Sequence, residues 1–176
     1  MSNHSASFVA ATSLMVFALP ALAGEISEQA VIDAQKAWGE GIVEIAAAHS
    51  AGEDYKARAK AHIEGLYAYG KADVMFKPTL AAEDQFRETF DEAMSYFVGT
   101  EGTEDSGFAI KGWTNVRWEN NGIFTNGSSA MAMGNYYFTG PDGTETAVEY
   151  SFGYILDDAG ELKINLHHSS LPYSPS

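Results

Sequence analysis

The C-terminal stretch Lys163-Ile164-Asn165-Leu166-His167-His168-Ser169-Ser170-Leu171-Pro172 begins as a β-strand and ends in consecutive polar residues. Every second residue of this run belongs to one face of the strand: Ile164, Leu166, His168 and Ser170. The opposite face receives His167 and Ser169. An apolar face that becomes polar at one end is typical of a pocket floor with hydrogen-bonding groups at its mouth. The simpler interpretation is a polar strand end that is bound only by water.

From Phe108 onward the sequence has period-two alternation interrupted by turn signals, which predicts an antiparallel meander of four long strands. The strands are predicted over residues 108–119, 130–139, 144–156 and 162–170. The turn signals are Asn120-Asn121-Gly122, Asn126-Gly127, Gly140-Pro141-Asp142-Gly143 and Asp157-Asp158-Ala159-Gly160. Within the third strand, one face carries Val148, Tyr150, Phe152 and Tyr154. The other face carries Ala147, Glu149 and Ser151, and we expect one of the two faces to cover a helix and the other to contact a partner.

The N-terminal half has helical periodicity instead. A long helix is predicted from the N-cap Ser27 to about Ser50, and two shorter helices are predicted over residues 55–69 and 82–96. A short strand over residues 74–79 lies between them, and residues 99–107 form a glycine- and acid-rich loop. Helices first and hairpin-linked strands last give an α+β fold. We expect a strongly curved antiparallel sheet around the long helix, a cone whose open end holds a pocket.

The composition of the chain argues against several classes of partner and site. The chain of 176 residues has a net charge of −14 and contains no basic run, which argues against nucleic acid and anionic membranes as partners. It contains no cysteine, so disulfides, thiolate metal sites and a cysteine nucleophile are excluded. No two histidines have the i, i+4 spacing of a helical zinc site.

Residues 1–23 resemble a secretory signal. The run Phe8–Ala23 is mostly apolar and uncharged, and it ends in Ala21 and Ala23, an A-x-A cleavage pattern preceded by Pro20. We therefore predict cleavage after Ala23. The mature chain 24–176 is then a single domain in the periplasm or outside the cell, with no membrane attachment after cleavage.

Three motifs together are specific: Phe76-Lys77-Pro78-Thr79, Ser95-Tyr96-Phe97-Val98-Gly99 and the C-terminal His-His-Ser-Ser-Leu-Pro run. With these motifs the chain resembles the iota-class carbonic anhydrases. That family is built on the association-domain fold of calcium/calmodulin-dependent kinase II, within the nuclear transport factor 2-like superfamily. The resemblance covers essentially the whole mature chain.

The resemblance implies reversible hydration of CO2 to bicarbonate and a proton, in a hydrogen-bonding pocket made of Thr, Tyr, Ser and His. Matched by motif, these residues are Thr79, Tyr96, and one serine and one histidine of the C-terminal run. Strand alternation favours His168 and Ser170, whereas a bulge at the double histidine would bring His167 and Ser169 into their place. Hydroxyls would then donate to the CO2 oxygens, and His168 would accept the proton of the attacking water. The apolar wall is expected from Phe76, Phe97, Met133 and Trp113.

A metal site and a non-catalytic function are the alternatives to this interpretation. Some members of that family are associated with zinc or manganese, and a metal site here would need Glu149 beside one of two histidines that point to opposite faces. We therefore favour a site with no cofactor. Tyr136, Tyr137 and Tyr154 are interpreted as sheet residues rather than catalysts. The competing function is a non-catalytic association module that binds small anions, and in either case the outer sheet face predicts a homodimer.

Overall fold

The computed structural model describes residues 24–175, and the predicted signal segment 1–23 lies outside them. The helices are α1 (Glu28–Ser50), α2 (Tyr55–Leu66) and α3 (Phe90–Val98), with a short 3-10 helix at Phe108–Ile110. The strands are β1 (Met75–Lys77), β2 (Asn115–Asn126), β3 (Ser129–Thr139), β4 (Glu145–Leu156) and β5 (Leu162–Ser170). They form one sheet in the order β1-β5-β4-β3-β2. The sheet is antiparallel except for the β1–β5 pair, and the predicted α+β fold with its four-strand meander is confirmed.

The long helix α1 supplies the centre of the core. Ser27 caps it by accepting a hydrogen bond from the backbone of Ala30 at 3.1 Å. Its buried stripe includes Val31, Trp38, Ile42 and Ile45. The apolar residues predicted to share one face of β4 are buried in the same core: Val148, Tyr150, Phe152 and Tyr154. The sheet therefore has one face packed on the helices and one face turned outward. None of the helices within residues 24–175 combines the length and the apolar character that a membrane-spanning helix needs.

The structure corrects two of the predicted helix boundaries. The third helix begins at Phe90 instead of residue 82, because Thr89 and Glu92 form a capping box there. The preceding backbone amides of residues 82–84 are bound instead by the Glu104 carboxylate. The second helix ends at Leu66, three residues earlier than predicted.

The first long strand also differs from the prediction. Residues 108–110 are a 3-10 helix, and β2 begins only at Asn115. It then runs straight through Asn120-Asn121-Gly122, which forms a bulge in the β2–β3 ladder rather than a turn. Gln35 of α1 is buried against this bulge, with its side-chain amide hydrogen-bonded to Asn120 at 2.8 Å in both directions. The hairpin turn lies at the second predicted signal, after Asn126.

A second bulge, in β5, determines which residues face the core. Ile164 pairs with Tyr154 of β4, but Leu166 pairs with the adjacent residue Gly153, so Asn165 is an extra residue. From that point the alternation is reversed, and the residues that face inward are His167 and Ser169. The extra residue is accommodated opposite a glycine, since a Cβ at Gly153 would lie 2.8 Å from the Cβ of Leu166.

Candidate active site

A cavity of about 110 Å³ lies between the inner face of the sheet, α1, α3 and the segment that follows β1. Its wall is largely aromatic and apolar: Trp38, Phe76, Phe97, Phe108, Trp113, Phe138 and Val148. Apart from Lys111, the polar side chains that line it are Thr79, Tyr96, Tyr136, Thr146, His167 and Ser169. Lys111 is exposed at the rim of the cavity. Within residues 24–175, it is the one cationic side chain that lines the cavity. The cavity therefore suits a small ligand with an apolar body and oxygen atoms that accept hydrogen bonds.

His167 is held inside an aromatic cage. Its ring stacks on Phe76 with centroids 4.5 Å apart and meets Phe152 edge-on at 4.1 Å. Burial lowers the pKa of His167 well below its usual value, with smaller contributions from His168 and His62. His167 is therefore neutral at physiological pH.

Both ring nitrogens of His167 have hydroxyl partners. The hydroxyl of Tyr67 lies 2.8 Å from Nδ1, and that of Tyr136 lies 3.3 Å from Nε2. Trp38 in turn donates its indole N–H to the Tyr67 oxygen at 2.9 Å. All four side chains are buried, so the imidazole is fixed in place by its hydrogen bonds and by the aromatic rings around it.

Ser169 lies two residues further along β5, on the same inner face. Thr79 donates a hydrogen bond to its hydroxyl at 3.0 Å. Burial raises the pKa of Tyr136, and a hydrogen bond with Ser169 acts in the opposite direction. The hydroxyls of Thr79, Tyr136 and Ser169 thus form one small cluster on the cavity wall.

Tyr96 approaches the cavity from α3. Its ring stacks on Phe108 with centroids 5.6 Å apart and meets Phe76 edge-on at the same separation. Burial raises the pKa of Tyr96, and a hydrogen bond from the backbone of Leu80 partly opposes this. Its hydroxyl therefore stays protonated and can serve as a donor.

A buried ion pair supports the segment that carries Thr79. Arg87 is almost fully buried and donates to Asp105 at 2.7 Å. Its backbone N–H bonds the carbonyl of Phe76 at 2.8 Å, and its guanidinium carbon lies 6.0 Å from the centre of the Tyr96 ring. The same few contacts therefore hold both Thr79 and Tyr96 against the cavity.

Comparison with known proteins identifies the family. A family model described as metal-independent carbonic anhydrase matches residues 29–171. The chain belongs to the metal-independent carbonic anhydrases. The metal-independent carbonic anhydrase of Nostoc sp. (strain PCC 7120 / SAG 25.82 / UTEX 2576) is 42% identical over 153 residues, covering 84% of this chain and 75% of that protein.

Solved structures agree with this assignment. The crystal structure of a cyanobacterial iota-carbonic anhydrase complexed with bicarbonate is 39% identical and has a TM-score of 0.84, covering 90% of this chain and 100% of that one. A putative calcium/calmodulin-dependent protein kinase II association domain from Xanthomonas campestris is 22% identical with a TM-score of 0.51, covering 90% of this chain and 95% of that one. The second likeness concerns the fold alone.

The structure places two of the four site residues predicted from the sequence on the cavity of this carbonic anhydrase. Thr79 and Tyr96 line it, together with three of the four expected wall residues, Phe76, Phe97 and Trp113. Met133 lies on the outer face of β3 and is exposed.

The predicted facing of His168 and Ser170 is corrected. His168 is exposed on the outer face, and Ser170 donates to Glu149 there at 3.0 Å. The bulge at Asn165 is the physical reason, because strand alternation carries across a strand only where its pairing is regular. The pair that the sequence left as the alternative, His167 and Ser169, lines the cavity. Residues 24–175 contain no group of three or more histidines and carboxylates that could hold a metal ion.

Three further residues were not found from the sequence. The sequence predicts that Tyr136 is a sheet residue, yet its hydroxyl contacts His167, and no sequence motif assigns Tyr67 or Trp38 a role at the site. The available signal was their burial, since a buried Tyr or Trp usually finds a partner for its polar atom.

Proposed function

We propose that this carbonic anhydrase hydrates CO2 at the cavity lined by Thr79, Tyr96, His167 and Ser169. The observation that carries the proposal is a small apolar cavity in which several buried hydroxyls converge at one end. The cyanobacterial relative was crystallised with bicarbonate, so a ligand of this size and chemistry is known for a close structural neighbour. CO2 is apolar and linear and suits the aromatic wall, whereas bicarbonate carries the negative charge that hydroxyl donors stabilise.

In the hydration direction the oxygen of a water molecule bonds to the carbon of CO2 as one O–H bond of that water breaks. The products are one bicarbonate and one proton, which passes to a solvent or buffer base at the cavity mouth. Negative charge grows on the CO2 oxygens during the attack, and the hydroxyls of Tyr96 and Ser169 are placed to donate to them. Thr79 donates to Ser169, which leaves the Ser169 proton directed at the substrate.

A metal-independent route makes these donors more important. Zinc lowers the pKa of bound water to about 7, and this chemistry needs another source of stabilisation when no metal supplies it. Removing one oxyanion donor from an enzyme typically costs about 10²–10³ in kcat. We expect losses of that order at the cavity hydroxyls.

The test is a stopped-flow assay of CO2 hydration on residues 24–176, purified with chelator and checked for metal content. Thr79→Val and Tyr96→Phe keep the side-chain shape and remove a hydroxyl, and both should lower kcat/KM strongly. Tyr137→Phe, which removes an exposed hydroxyl bound to Glu119 on the outer face, is the matched control. Activity that appears only after zinc or manganese is added would contradict the proposal. Absence of activity under every metal condition would favour the non-catalytic association module.

The outer sheet face supports a homodimer as the assembly of this enzyme. Three large apolar side chains stand exposed side by side there: Phe124 (59%), Met131 (56%) and Met133 (53%). An exposed apolar patch of this kind is typical of a protein–protein contact. Sedimentation at micromolar concentration should give a dimer that Met131→Glu dissociates, while Thr146→Glu at the edge of the cavity face leaves it intact. A wild-type monomer would contradict the assembly.

Residues 1–23 support an exported protein, as the sequence predicts. Expression of the full chain in a Gram-negative host should give a periplasmic product whose mass corresponds to a start at Gly24. A cytoplasmic product with the intact N-terminus would contradict this localisation.

A further inference from the structure

Four buried side chains form a linear hydrogen-bonded chain that ends at the cavity. Trp38 is bonded to Tyr67 at 2.9 Å, Tyr67 to His167 at 2.8 Å, and His167 to Tyr136 at 3.3 Å. Each of these residues exposes only a few per cent of its surface or less. Tyr67 is buried and does not line the cavity, so the directions of its hydrogen bonds follow from the donors and acceptors around it.

The first member fixes the direction. An indole nitrogen carries a proton and accepts nothing, so Trp38 must donate to the Tyr67 oxygen. The Tyr67 hydroxyl then has its own proton to place. Within residues 24–175, its contacts are Trp38 and Nδ1 of His167, and Nδ1 is the only acceptor of the two.

The opposite arrangement would put the imidazole proton on Nδ1, donating to Tyr67. Tyr67 would then accept twice, and its own proton would be buried without an acceptor. Such an unpaired buried donor is unfavourable. A protonated imidazole is also disfavoured, because the aromatic cage of Phe76 and Phe152 offers no counter-charge.

We infer that Trp38 and Tyr67 are positioning residues that lock neutral His167 as the Nε2–H tautomer, so that His167 is a hydrogen-bond donor to Tyr136 and not the proton acceptor of the reaction. Tyr136, whose oxygen accepts from Nε2, keeps its own proton for Ser169 or for a ligand in the cavity. The inference rests on the proposed function for its catalytic meaning. The tautomer itself is a property of the resting protein.

The first test reads the tautomer directly. Nitrogen-15 NMR of protein labelled at histidine distinguishes a protonated ring nitrogen from an unprotonated one, and the His167 signals are assigned by their loss in His167→Gln. We expect protonated Nε2 and bare Nδ1, unchanged between about pH 6 and 8, where exposed histidines titrate. A proton on Nδ1, or titration of His167 within that range, would overturn the inference. This result does not depend on turnover, so an inactive protein with the expected tautomer would refute the proposed function alone.

The second test uses two substitutions at one position. In His167→Gln, the side-chain carbonyl can accept from Tyr67 and the amide N–H can donate to Tyr136, but no basic group remains. In His167→Leu, both hydrogen bonds are lost. General base catalysis contributes about 10²–10⁴-fold, so a base role predicts that both variants lose activity to that extent. We expect His167→Gln to keep kcat/KM within about tenfold of wild type, below the usual contribution of a general base, and His167→Leu to fall well below it.

The pH profile separates positioning from a general structural effect. If His167 accepted the proton, its removal would abolish a limb of the kcat profile. We expect the His167→Gln profile to keep the shape of the wild-type profile. A profile that changes shape, together with equal losses in both variants, would return the proton-acceptor role to His167.

Discussion

The half-buried His62, whose ring nitrogen Nε2 is shielded from solvent, allows a quantitative prediction about stability and pH. Its ring lies between α1 and α2, packed above Gly41, where an added Cβ would come within 2.1 Å of Nδ1. Trp38 and Phe97 flank it with ring centroids 6.0 and 5.6 Å away, and its Nε2 has no hydrogen-bond partner within residues 24–175. Burial lowers the pKa of His62 from 6.5 to about 3. The folded protein therefore keeps this imidazole neutral well below the pH at which the unfolded chain binds a proton.

The direction of this pH dependence follows from the linkage between folding and proton binding. Because the unfolded state binds the proton more tightly, the stabilising contribution is complete above pH 6.5 and is lost as the pH falls towards 3. One pKa unit corresponds to about 1.36 kcal/mol, so acidification from pH 6.5 to 5 costs at most about 2 kcal/mol through this residue. His167 and the carboxylates with lowered pKa values change stability in the same direction, so the effect of His62 must be read as a difference.

The assay is urea unfolding of wild type and His62→Leu at pH 7 and pH 5. We expect the free energy of unfolding of wild type to fall by about 1–2 kcal/mol more than that of His62→Leu over this interval. His49→Asn, which changes an exposed histidine, should behave like wild type. Equal pH dependence in wild type and His62→Leu would refute the assignment of a neutral buried imidazole.

Three further predictions concern the support of the cavity, its charge and the bulge in β2. Arg87→Met leaves a buried carboxylate unpaired and should lower the free energy of unfolding, measured in urea, by about 3–5 kcal/mol. Arg58→Met removes an exposed ion pair and should cost less than about 1 kcal/mol in the same assay. Lys111→Glu should raise KM for bicarbonate about fivefold at low salt, an effect of about 1 kcal/mol. Added salt should reduce this effect, and equal KM values for wild type and Lys111→Glu would refute the prediction. Because the equilibrium fixes the ratio of kcat/KM in the two directions, CO2 hydration should lose kcat/KM by the same factor. Gly134→Ala should destabilise by about 1–3 kcal/mol, since its Cβ would lie 2.1 Å from a backbone oxygen of β2. Gly122→Ala meets nothing within 4 Å and should be nearly neutral in the same unfolding assay.

The main architecture was predictable because its signals are local. Period-two alternation and hairpin turns identified the meander, and helical periodicity identified α1 from its cap at Ser27. The third helix was misplaced because its true start depends on the Thr89 capping box and on Glu104, which binds backbone amides about twenty residues away. No local pattern contains that interaction.

The site was predictable in part for the same reason. The motifs brought Thr79 and Tyr96 to the correct cavity, but the facing of the double histidine depends on the pairing of β5 with β4, where the register shifts at Gly153. The contact of Tyr67 with His167 joins residues separated by 100 positions. A contact of that kind follows from the packed fold and has no signature in either segment alone.

Adjacent serines of β5 provide the most direct test of the central claim. Ser169 lines the cavity, whereas Ser170 lies on the outer face beside Glu149. In the chelator-treated enzyme we expect Ser169→Ala to lower kcat/KM for CO2 hydration by about 10²-fold or more, as the loss of an oxyanion donor does, and Ser170→Ala to stay within about twofold of wild type. A larger loss in Ser170→Ala than in Ser169→Ala would place the chemistry on the other face of the sheet and contradict the account.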